Sequence, residues 1–483
     1  MNGPRVLDLR PVQTLDDYVA GGGGRGLDAA RRLGPTGVMD DLDAAGLRGR
    51  GGAGFPTGRK WRTVVGNESP VLPPTVVVNA AEGEPGTFKD RMLLRRNPFR
   101  VLEGALVAAA TVGADRIVVA LKASSMQELR RVRAAAAAME SAHWSDGITV
   151  TVAEGPGEYL FGEETALLEV LDGRAPFPRI APPYRHGVDE VGDGTESAAD
   201  VAMASPEGAT VSPPTLVNNA ETLANVPGIL AEGPDWFRSV GTAASPGTIV
   251  CTVSGRTQRA GVEEVPLGTP LREIVERVGG GPTRRRRIVA VMSGVANTLV
   301  PEELLDTPAT YEDLERIGSG LGAAGFVVFD DAVDMAAVAA GVSRFLAVES
   351  CGQCVPCKQD GLQLAGLLDQ VCRSEATDHD LATIAGLVGT VADQARCYLA
   401  SQHQQVVGSI LQLFGEHLRA HVDGGASPVV PERIAPIVDI HDGVAALDER
   451  QDQKQPDWTY GETWSGQAPA DRIDQGVTGS DDT

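Results

Sequence analysis

Residues 349–360 read ESCGQCVPCKQD, a cysteine-rich stretch that indicates a metal or cluster site in the C-terminal half of the chain. Cys351, Cys354 and Cys357 stand at two successive CxxC spacings, and Cys397 can supply a fourth thiolate. Four cysteine ligands are the number that a cubane iron–sulfur cluster requires. Two alternatives stay open. One is a zinc site, although such sites more often pair two separate CxxC motifs. The other is a set of disulfides, which need an oxidising compartment, but the start of the sequence shows no signal-peptide pattern.

The composition narrows the class of protein. The chain has 483 residues, 42% of them apolar, which is enough for two to four globular domains. A net charge of −23 disfavours binding to nucleic acid, whose phosphates need clustered Lys and Arg. The Arg run at 284–287 is the exception, and it fits either a basic patch or a solvated turn. The chain has only five lysines, and no apolar run reaches transmembrane length, so we expect no direct membrane insertion.

Residues 46–61, GLRGRGGAGFPTGRKW, form a glycine-rich loop ahead of a helix. The spacing of Gly49, Gly51 and Gly52 lets successive backbone N–H groups face one anion, and Arg50 and Lys60 add positive charge. The motif is neither a Walker loop nor a dinucleotide fingerprint. It therefore predicts a cradle for a single phosphate, with a plain flexible turn as the alternative.

The next segments predict a parallel sheet. A buried strand at 76–78 leads into NAAEGEPGTFKDR, and strands at 117–122 and 148–155 alternate with helices. Ligands of such sheets collect beyond the carboxyl ends of strands, which places Asn79, Glu82 and Glu84 at a binding edge. These carboxylates suit hydroxyl or amide donors of a ligand, and a solvated acidic loop is the alternative.

Two further polar segments are candidates for the same site. Residues 155–173, GPGEYLFGEETALLEVLDG, present Tyr159, Glu163 and Glu164 at the start of a helix, where the glutamates could equally be helix caps. Residues 185–214 read as a long loop or insertion, after which 214–226 places Asn218, Asn219 and Thr222 before a helix.

Five motifs in this order carry a resemblance to a known family: GLRGRGGAGFPTGRKW, NAAEGEPGTFKDR, GEYLFGEETAL, LVNNAETLA and ESCGQCVPC. Over roughly residues 20–420 the chain resembles the NADH-oxidising flavoprotein (51 kDa, F-type) subunit of respiratory complex I and the diaphorase subunits of NAD-linked hydrogenases and formate dehydrogenases. The resemblance implies an α/β fold with a Rossmann-like parallel-sheet flavin domain, a small β-grasp-like domain, and a C-terminal helical bundle with an iron–sulfur cluster.

The resemblance also assigns cofactors and residues. It implies FMN, NAD(H) stacked over the flavin, and a [4Fe–4S] cluster on Cys351, Cys354, Cys357 and Cys397. The candidate cofactor-binding residues are Gly49, Arg50, Gly51, Gly52, Phe55, Lys60, Asn79, Glu82, Glu84, Tyr159, Gly162, Glu163, Glu164, Tyr184, Asn218, Asn219 and Thr222. We expect no catalytic nucleophile, with Glu84 and Glu164 positioning hydride transfer and with Phe55 and Tyr184 stacking on nucleotide.

Three departures from the family pattern concern the nicotinamide side. Ala81 replaces a usual Asp in the flavin loop, Thr63 replaces an aromatic residue, and Ala181 replaces a Lys. Lost stacking and a lost charged donor allow NADH affinity to fall by roughly one to three decades. The sequence therefore predicts weaker saturation by NADH than in relatives.

The predicted domains are 1–240 for FMN and NADH, 241–330 for the β-grasp-like unit, 331–423 for the helical bundle and 424–483 for an extended or disordered tail. Cys251 and Cys372 fall outside the ligand spacing and are interpreted as core residues. The chain lacks a [2Fe–2S] domain like that of the family's thioredoxin-like subunit, so we expect that small partner and further iron–sulfur subunits.

The function predicted from these features is hydride transfer from NADH to FMN, followed by single-electron transfer to the cluster and to a partner iron–sulfur protein. A diaphorase module of a soluble formate dehydrogenase, hydrogenase or ferredoxin-linked complex is the first alternative. An electron conduit that has lost NADH binding is the second. The expected location is cytoplasmic, peripheral on the inner face of the membrane where partners provide the link.

Overall fold

The computed structural model describes residues 4–69, 72–145, 147–188, 213–461 and 463–472. Most of the predicted 185–214 loop therefore lies outside the described residues. The elements of the first region are α1 (Leu15–Ala20), α2 (Arg25–Ala45), α3 (Thr57–Val65), β1 (Thr75–Asn79), α4 (Lys89–Arg96), α5 (Pro98–Val112), β2 (Arg116–Lys122), α6 (Met126–Ser141), β3 (Thr149–Gly155), α7 (Glu164–Leu171), β4 (Thr215–Asn219), α8 (Ala220–Glu232) and α9 (Pro234–Arg238).

The four strands of this region form a parallel sheet in the order β3-β2-β1-β4. Both faces are buried: Val76 and Val78 lie in the core formed with α2, α5 and α8, whereas Val77 faces a smaller core that contains Phe161. Burial on both faces explains why the strands are almost continuously apolar. The predicted parallel sheet is confirmed, and β4, which the sequence reading placed only as polar residues before a helix, extends it.

The second region contains β5 (Thr248–Gly255), β6 (Gly261–Pro266), α10 (Leu271–Gly279), β7 (Ile288–Ser293), β8 (Val300–Pro301), α11 (Tyr311–Arg316) and β9 (Gly325–Asp330). The strands form one mixed sheet in the order β6-β5-β9-β7-β8, and α10 packs against β5 and β6. The sequence predicted β5, α10 and β7 of this region. It did not predict β6, which carries two glutamates, β8, which has two residues, or β9 and α11. Arg286 and Arg287 in the Arg run pair with Asp331 and Glu302, as suits a solvated turn.

The third region is helical, as predicted: α12 (Met335–Glu349), α13 (Val355–Cys372), α14 (Asp378–Thr390) and α15 (Leu399–Val422). The four helices share one core with parts of the second sheet. Cys372 is fully buried in that core, and Cys251 is fully buried in β5. Burial raises the pKa of Cys372 to about 12, in keeping with an inert core thiol.

The tail requires a correction for its described part. The sequence predicts an extended or disordered arm after Gly424, but the chain forms the hairpin β10 (Ile437–His441) and β11 (Val444–Leu447) and then packs back on the body. Ile437 and Lys454 are buried. Only some apolar residues of the tail are buried, whereas Val430 and Val444 are exposed, so the tail shows no helical or strand period.

Within the described residues, every helix falls short of the length and apolar character that crossing a membrane requires.

Candidate functional site

A cavity of about 600 Å³ opens at the carboxyl ends of β1 and β4. Its walls come from the glycine loop, the segment after β1, the 159–164 segment, the β4–α8 junction, two turns of the second sheet and the start of α15. We call it the large cavity. It is the position at which parallel α/β sheets bind ligands.

The glycine loop forms one wall and is shaped for close approach. Gly52 has φ +128°, and a side chain there would project into open space at the cavity. Gly54 has φ +61°, and a Cβ at this position would lie 2.5 Å from the ring of Tyr311. The loop therefore presents backbone to the cavity, which is the surface that a phosphate requires.

The loop is held from behind by the second region. Tyr311 Oη donates to Gly49 O at 2.9 Å, and Arg48 Nε donates to Gly54 O at 2.7 Å. The Arg48 guanidinium stacks on the Tyr311 ring at 4.0 Å and pairs with Glu312. These contacts preform the loop before any ligand binds.

Arg50 does not supply the charge that the sequence reading placed at the phosphate. Its buried guanidinium points to Arg48 O and Tyr311 Oη, both at 3.2 Å, and it is not part of the cavity lining. The backbone of Arg50 instead links the glycine loop to α8, because Arg50 N donates to Thr222 Oγ1 at 2.8 Å. Lys60 does line the cavity, where it forms an ion pair with Glu164.

Asn79 and Glu82 support the wall as well as lining it. Asn79 Nδ2 donates to Gly162 O at 2.9 Å. Glu82 accepts from Asp90 N at 3.1 Å and from Arg91 Nε at 3.1 Å, and burial raises its pKa. The carboxylate of Glu82 is thus engaged with α4 inside the protein.

Glu84, Tyr159 and Gln402 form a hydrogen-bonded row along the cavity. Tyr159 Oη donates to Glu84, Val295 N donates to Glu84 Oε1 at 2.6 Å, and Gln402 Nε2 donates to Tyr159 Oη at 2.8 Å. Burial raises the pKa of Glu84 to about 7, although its two donors oppose the shift. Burial also raises the pKa of Tyr159, so its phenol stays protonated and Glu84 can gain or lose a proton near neutral pH.

Glu163 combines the two roles that the sequence left open. Its carboxylate caps α7 by accepting from Thr165 N at 2.9 Å and Ala166 N at 2.8 Å, and the residue also lines the cavity. Burial raises its pKa despite these donors.

The β4–α8 junction brings three predicted residues to the cavity. Asn218 lies in β4, where its Oδ1 accepts from Trp61 Nε1 at 2.8 Å, and Asn219 caps α8. Thr222 lies inside the first turn of α8 rather than before the helix. All three line the large cavity.

The two predicted stacking aromatics are separated. Phe55 lines the cavity and is 45% exposed, as a residue at its rim would be. Tyr184 packs against the main core of the first region and is not part of the described lining. Thr63 and Ala181, two of the departures, also lie outside that lining, whereas Ala81 is in it.

The sequence reading missed several lining residues, among them Thr87, Asp90, Asn297 and Gln402. Thr87 Oγ1 is buried without a hydrogen-bond partner in the described part of the chain. Thr87 and Asp90 fall inside the quoted motif and could have been proposed, but Asn297 comes from a turn of the second sheet with no local signal.

Lys89, at the start of α4, is fully buried between the carboxylates of Asp90 and Glu221. Its Nζ lies 2.8 Å from Asp90 Oδ1 and 3.0 Å from Glu221 Oε2. Burial lowers the pKa of Lys89, but the neighbouring carboxylates more than offset this and raise it. This network fixes the start of α4 against α8 and was not expected from the sequence.

The four predicted cysteine ligands meet in one place. Cys351, Cys354, Cys357 and Cys397 all line a small pocket, which we call the cysteine pocket. The first two precede α13, Cys357 lies in its first turn, and Cys397 precedes α15. Burial raises the pKa of Cys357 to about 11 and that of Cys397 to about 12, so both thiols need a bound cation to lose their protons at neutral pH.

The arrangement of these thiols fits a cluster better than one zinc ion. Zinc would draw four ligands to about 2.3 Å from a single point. Among the described residues no three His, Cys, Asp or Glu side chains converge closely enough to hold one metal ion. The four cysteines all line one pocket, and four thiolates are the number that a cubane cluster requires.

Lys358 stabilises the cysteine pocket from below. Its buried Nζ donates to Ala347 O at 2.9 Å and to Ser350 O at 2.8 Å, at the end of α12. An ammonium at a helix C-terminus interacts favourably with the helix dipole, and it also offsets thiolate charge.

The large cavity and the cysteine pocket share a wall. Leu160, Cys397 and Leu399 line both. A group in the large cavity and a cluster in the pocket would therefore be neighbours, with these side chains between them.

Comparison with known proteins identifies the family. A model of the Nuo51 FMN-binding domain matches residues 42–228, and a model of the NADH-ubiquinone oxidoreductase-F iron–sulfur binding region matches residues 337–421. The second F-type NADH-quinone oxidoreductase subunit of Rhizobium meliloti (strain 1021) is 35% identical over 434 residues, which are 88% of this chain and 98% of that protein. The chain belongs to the family of F-type NADH-quinone oxidoreductase subunits.

Relatives in this family include hydrogenase subunits. The NADP-reducing hydrogenase subunit HndC of Solidesulfovibrio fructosivorans is 33% identical over 86% of this chain and 82% of that protein. A crystal structure of an NAD⁺-reducing [NiFe]-hydrogenase in the H2-reduced state matches with a TM-score of 0.72 at 32% identity, over 87% of this chain and 67% of that one.

Membership in the F-type family confirms several predictions. The chain is an NADH-oxidising flavoprotein with an FMN-binding domain and a [4Fe–4S] region, and it is an oxidoreductase subunit of a larger complex. The α/β fold with a helical C-terminal region is confirmed too. The residue assignments and the limits of the domains stay predictions.

Proposed function

We propose that the large cavity holds FMN with NADH beside it, and that the cysteine pocket holds the [4Fe–4S] cluster that receives the electrons. When bound, FMN accepts a hydride from NADH and passes its electrons on one at a time. The shared wall of Leu160, Cys397 and Leu399 is the observation that carries this proposal, because it makes the two sites neighbours.

The residues of the cavity divide by chemistry. Gly49, Gly51 and Gly52 offer backbone to the FMN phosphate, and Lys60 adds the one lysine in the lining. The polar groups of Asn79, Asn218, Asn219 and Thr222 suit the flavin ring edge and ribityl hydroxyls.

On the nicotinamide side, Glu84, Glu163 and Glu164 accept hydrogen bonds, and Phe55 offers an aromatic face at the rim. Glu84 can hold or release a proton at Oε while Tyr159 donates to it. Because no side chain has to form a covalent bond, the role of the protein is to place hydride donor and acceptor in contact.

Anaerobic stopped flow tests this assignment. NADH should bleach the flavin of the wild-type chain, with weak saturation, and Phe55→Leu and Glu164→Ala should weaken saturation further. Tyr184→Leu is the matched control, because Tyr184 is an aromatic residue outside the described cavity lining. Equal impairment by Phe55→Leu and Tyr184→Leu would contradict the placement of the nucleotide at Phe55.

The identity of the flavin is tested separately by extraction and chromatography. The loop cradles one phosphate and lacks a dinucleotide fingerprint, so we expect FMN. Recovery of FAD, or of no flavin from protein that retains its cluster, would refute the assignment of the large cavity.

A second function is favoured by the hydrogenase relatives: the chain would act as the diaphorase module of a soluble redox complex. If dithionite reduces flavin and cluster while millimolar NADH and NADPH leave the spectrum unchanged, the placement of the nucleotide in the large cavity is refuted.

The expected partners are a small thioredoxin-like [2Fe–2S] subunit and further iron–sulfur subunits, in the cytoplasm or at the inner face of the membrane through those partners. Val355 is 69% exposed and Tyr398 is 53% exposed, next to the partly exposed Cys354 and Cys397. This apolar surface beside the cysteine pocket supports docking of an electron acceptor there. Purifying the native assembly and identifying its subunits tests the proposal.

A further inference from the structure

The C-terminal segment 449–472, of which all residues but 462 are described, crosses the loop that carries the first two cysteines. We call this segment the strap. It lies outside the residues that the two family models match, 42–228 and 337–421. We propose that the strap is a positioning element for electron transfer, with Lys454 as its central residue: it fixes the cysteine loop and the Tyr159 wall of the large cavity relative to each other.

A buried ion pair is the first observation. Lys454 Nζ lies 2.8 Å from both carboxylate oxygens of Glu349, and the two side chains are 1% and 2% exposed. Glu349 ends α12 and stands two residues before Cys351. Removing one partner of such a pair leaves a buried, uncompensated charge, so this contact is expected to hold the strap firmly in place.

The same carboxylate also reaches the large cavity. Tyr159 N donates to Glu349 Oε2 at 3.0 Å, and the phenol of Tyr159 donates to Glu84 in the cavity lining. One buried carboxylate is therefore shared by the strap, the cysteine loop and the cavity wall. Lys454 neutralises it without occupying either site.

Three more contacts clamp the loop along its length. Trp458 Nε1 donates to Val348 O at 3.0 Å, and Ala470 N donates to Cys351 O at 2.9 Å. Gly352 packs so closely under the strap that a Cβ there would lie 2.3 Å from Ala468 Cβ. These contacts reach the last turn of α12 and the first residues of the loop, Cys351 and Gly352, so they fix the path of the chain where it enters the loop.

The strap is also braced internally. Asp457 accepts from Thr459 Oγ1 at 2.6 Å and from Ser465 N at 3.2 Å, and these donors lower the pKa of Asp457 to about 2 although burial opposes the shift. Outside the strap, the Trp458 ring packs against Phe177, with the ring centroids 5.8 Å apart. A segment with its own turn structure can act as a rigid clamp.

The test compares full-length, flavin- and cluster-loaded chains. In Lys454→Met we expect iron release to a chelator to accelerate by about tenfold or more, because the loop opens more often. The EPR spectrum of the reduced cluster should change as well, and FMN should dissociate faster because Tyr159 loses its fixed acceptor. A purely distant structural defect would leave the EPR spectrum as it is.

Two further variants separate the contacts. Trp458→Phe removes the donor to Val348 O and part of the ring that packs near Phe177, but it keeps the Lys454–Glu349 pair, so iron release should accelerate by about threefold while FMN retention stays unchanged. Arg433→Gln is the matched control: it removes a tail cation from a half-exposed pair with Asp452 of the strap, and iron release should match wild type.

The result that overturns the proposal is iron release and an EPR spectrum in Lys454→Met that match those of Arg433→Gln. If Lys454→Met does not fold, an unchanged rate in Trp458→Phe overturns it instead. The proposal rests on the proposed cluster site, and the two can fail separately: a wild-type chain without iron refutes the cluster site, whereas an iron-loaded chain that is insensitive to both variants refutes the strap.

Discussion

The large cavity and the cysteine pocket share a wall but are assembled in opposite ways. Three of the four predicted ligands in the cysteine pocket lie within one stretch of sequence, from Cys351 to Cys357. The large cavity collects single residues from segments between Gly49 and Gln402, including two turns of the second sheet. A site that is local in sequence can be predicted from spacing alone, whereas a site built from distant loops depends on how the domains pack.

The largest effect is expected at the shared wall. Cys397→Ser should lose or strongly destabilise the cluster, while Cys372→Ser should leave it intact because Cys372 is buried in the helical core. Iron and acid-labile sulfide analysis of anaerobically purified protein checks this, with about four of each per wild-type chain. Stoichiometric zinc, or equal effects of the two variants, would show that the ligands of the cysteine pocket are wrongly assigned.

The second prediction concerns charge in the large cavity. The pKa of Glu84 is about 7 in the folded chain, above its ordinary 4.5, so the folded state keeps a proton that the unfolded state releases between these values. Stabilisation from Glu84 is therefore full at low pH and is lost as pH rises through 7, by about 3 kcal/mol at most. The thermal midpoint of Glu84→Gln should rise above that of wild type as pH increases.

The control for this prediction is Glu303→Gln, which changes an exposed carboxylate. Its midpoint should follow that of wild type at every pH. A constant difference between Glu84→Gln and wild type would show that Glu84 does not titrate in this range.

The third prediction tests whether the glycine loop is a cradle. Gly52→Ala places a methyl group toward the cavity and should weaken FMN retention by about tenfold, beyond the ~1 kcal/mol backbone cost of a positive φ. Gly233→Ala also places a side chain at a positive φ, +92° with open space around it, but Gly233 is not in the described cavity lining. Equal loss of FMN from both variants would mean that the effect is general destabilisation.

The smallest effect is expected behind the loop. Tyr311→Phe removes the donor to Gly49 O and should weaken FMN binding by about threefold, as measured by fluorescence titration of the flavin-free chain. Tyr18→Phe also removes a buried hydroxyl, one that donates to Glu103 Oε2 at 2.6 Å, but in the core of the first region. If both changes affect FMN alike, the second region does not position the loop.

The same difference between local and dispersed features decides which parts of the fold and the site can be predicted from the sequence. The parallel sheet, the helical bundle and the four cysteines were predictable because apolar runs, helical period and CxxC spacing are local signals. The direction of the Arg50 side chain was not, because it depends on Tyr311, which is distant in sequence. Tyr184 was assigned to the nucleotide by resemblance, yet it is partly buried against the core of the first region and is not in the described cavity lining.

The tail shows a second limit of prediction from the sequence. Scattered Pro, Asp and Trp residues without periodicity are typical of disorder, and composition alone carries no sign that Lys454 has a buried partner. Its partner, the carboxylate of Glu349, lies 105 residues earlier in the sequence. Only the folded structure brings the two charges together.

The scarcity of lysine has a practical consequence for chemical labelling. Lys89, Lys122, Lys358 and Lys454 are buried, and the side chain of Lys60 is 23% exposed in its pair with Glu164. Because arginine carries the rest of the positive charge, an amine-reactive reagent finds one partly accessible lysine on the native chain. Modification at Lys60 would report occupancy of the large cavity, and modification at Lys454 would report that the strap has lifted from the cysteine loop.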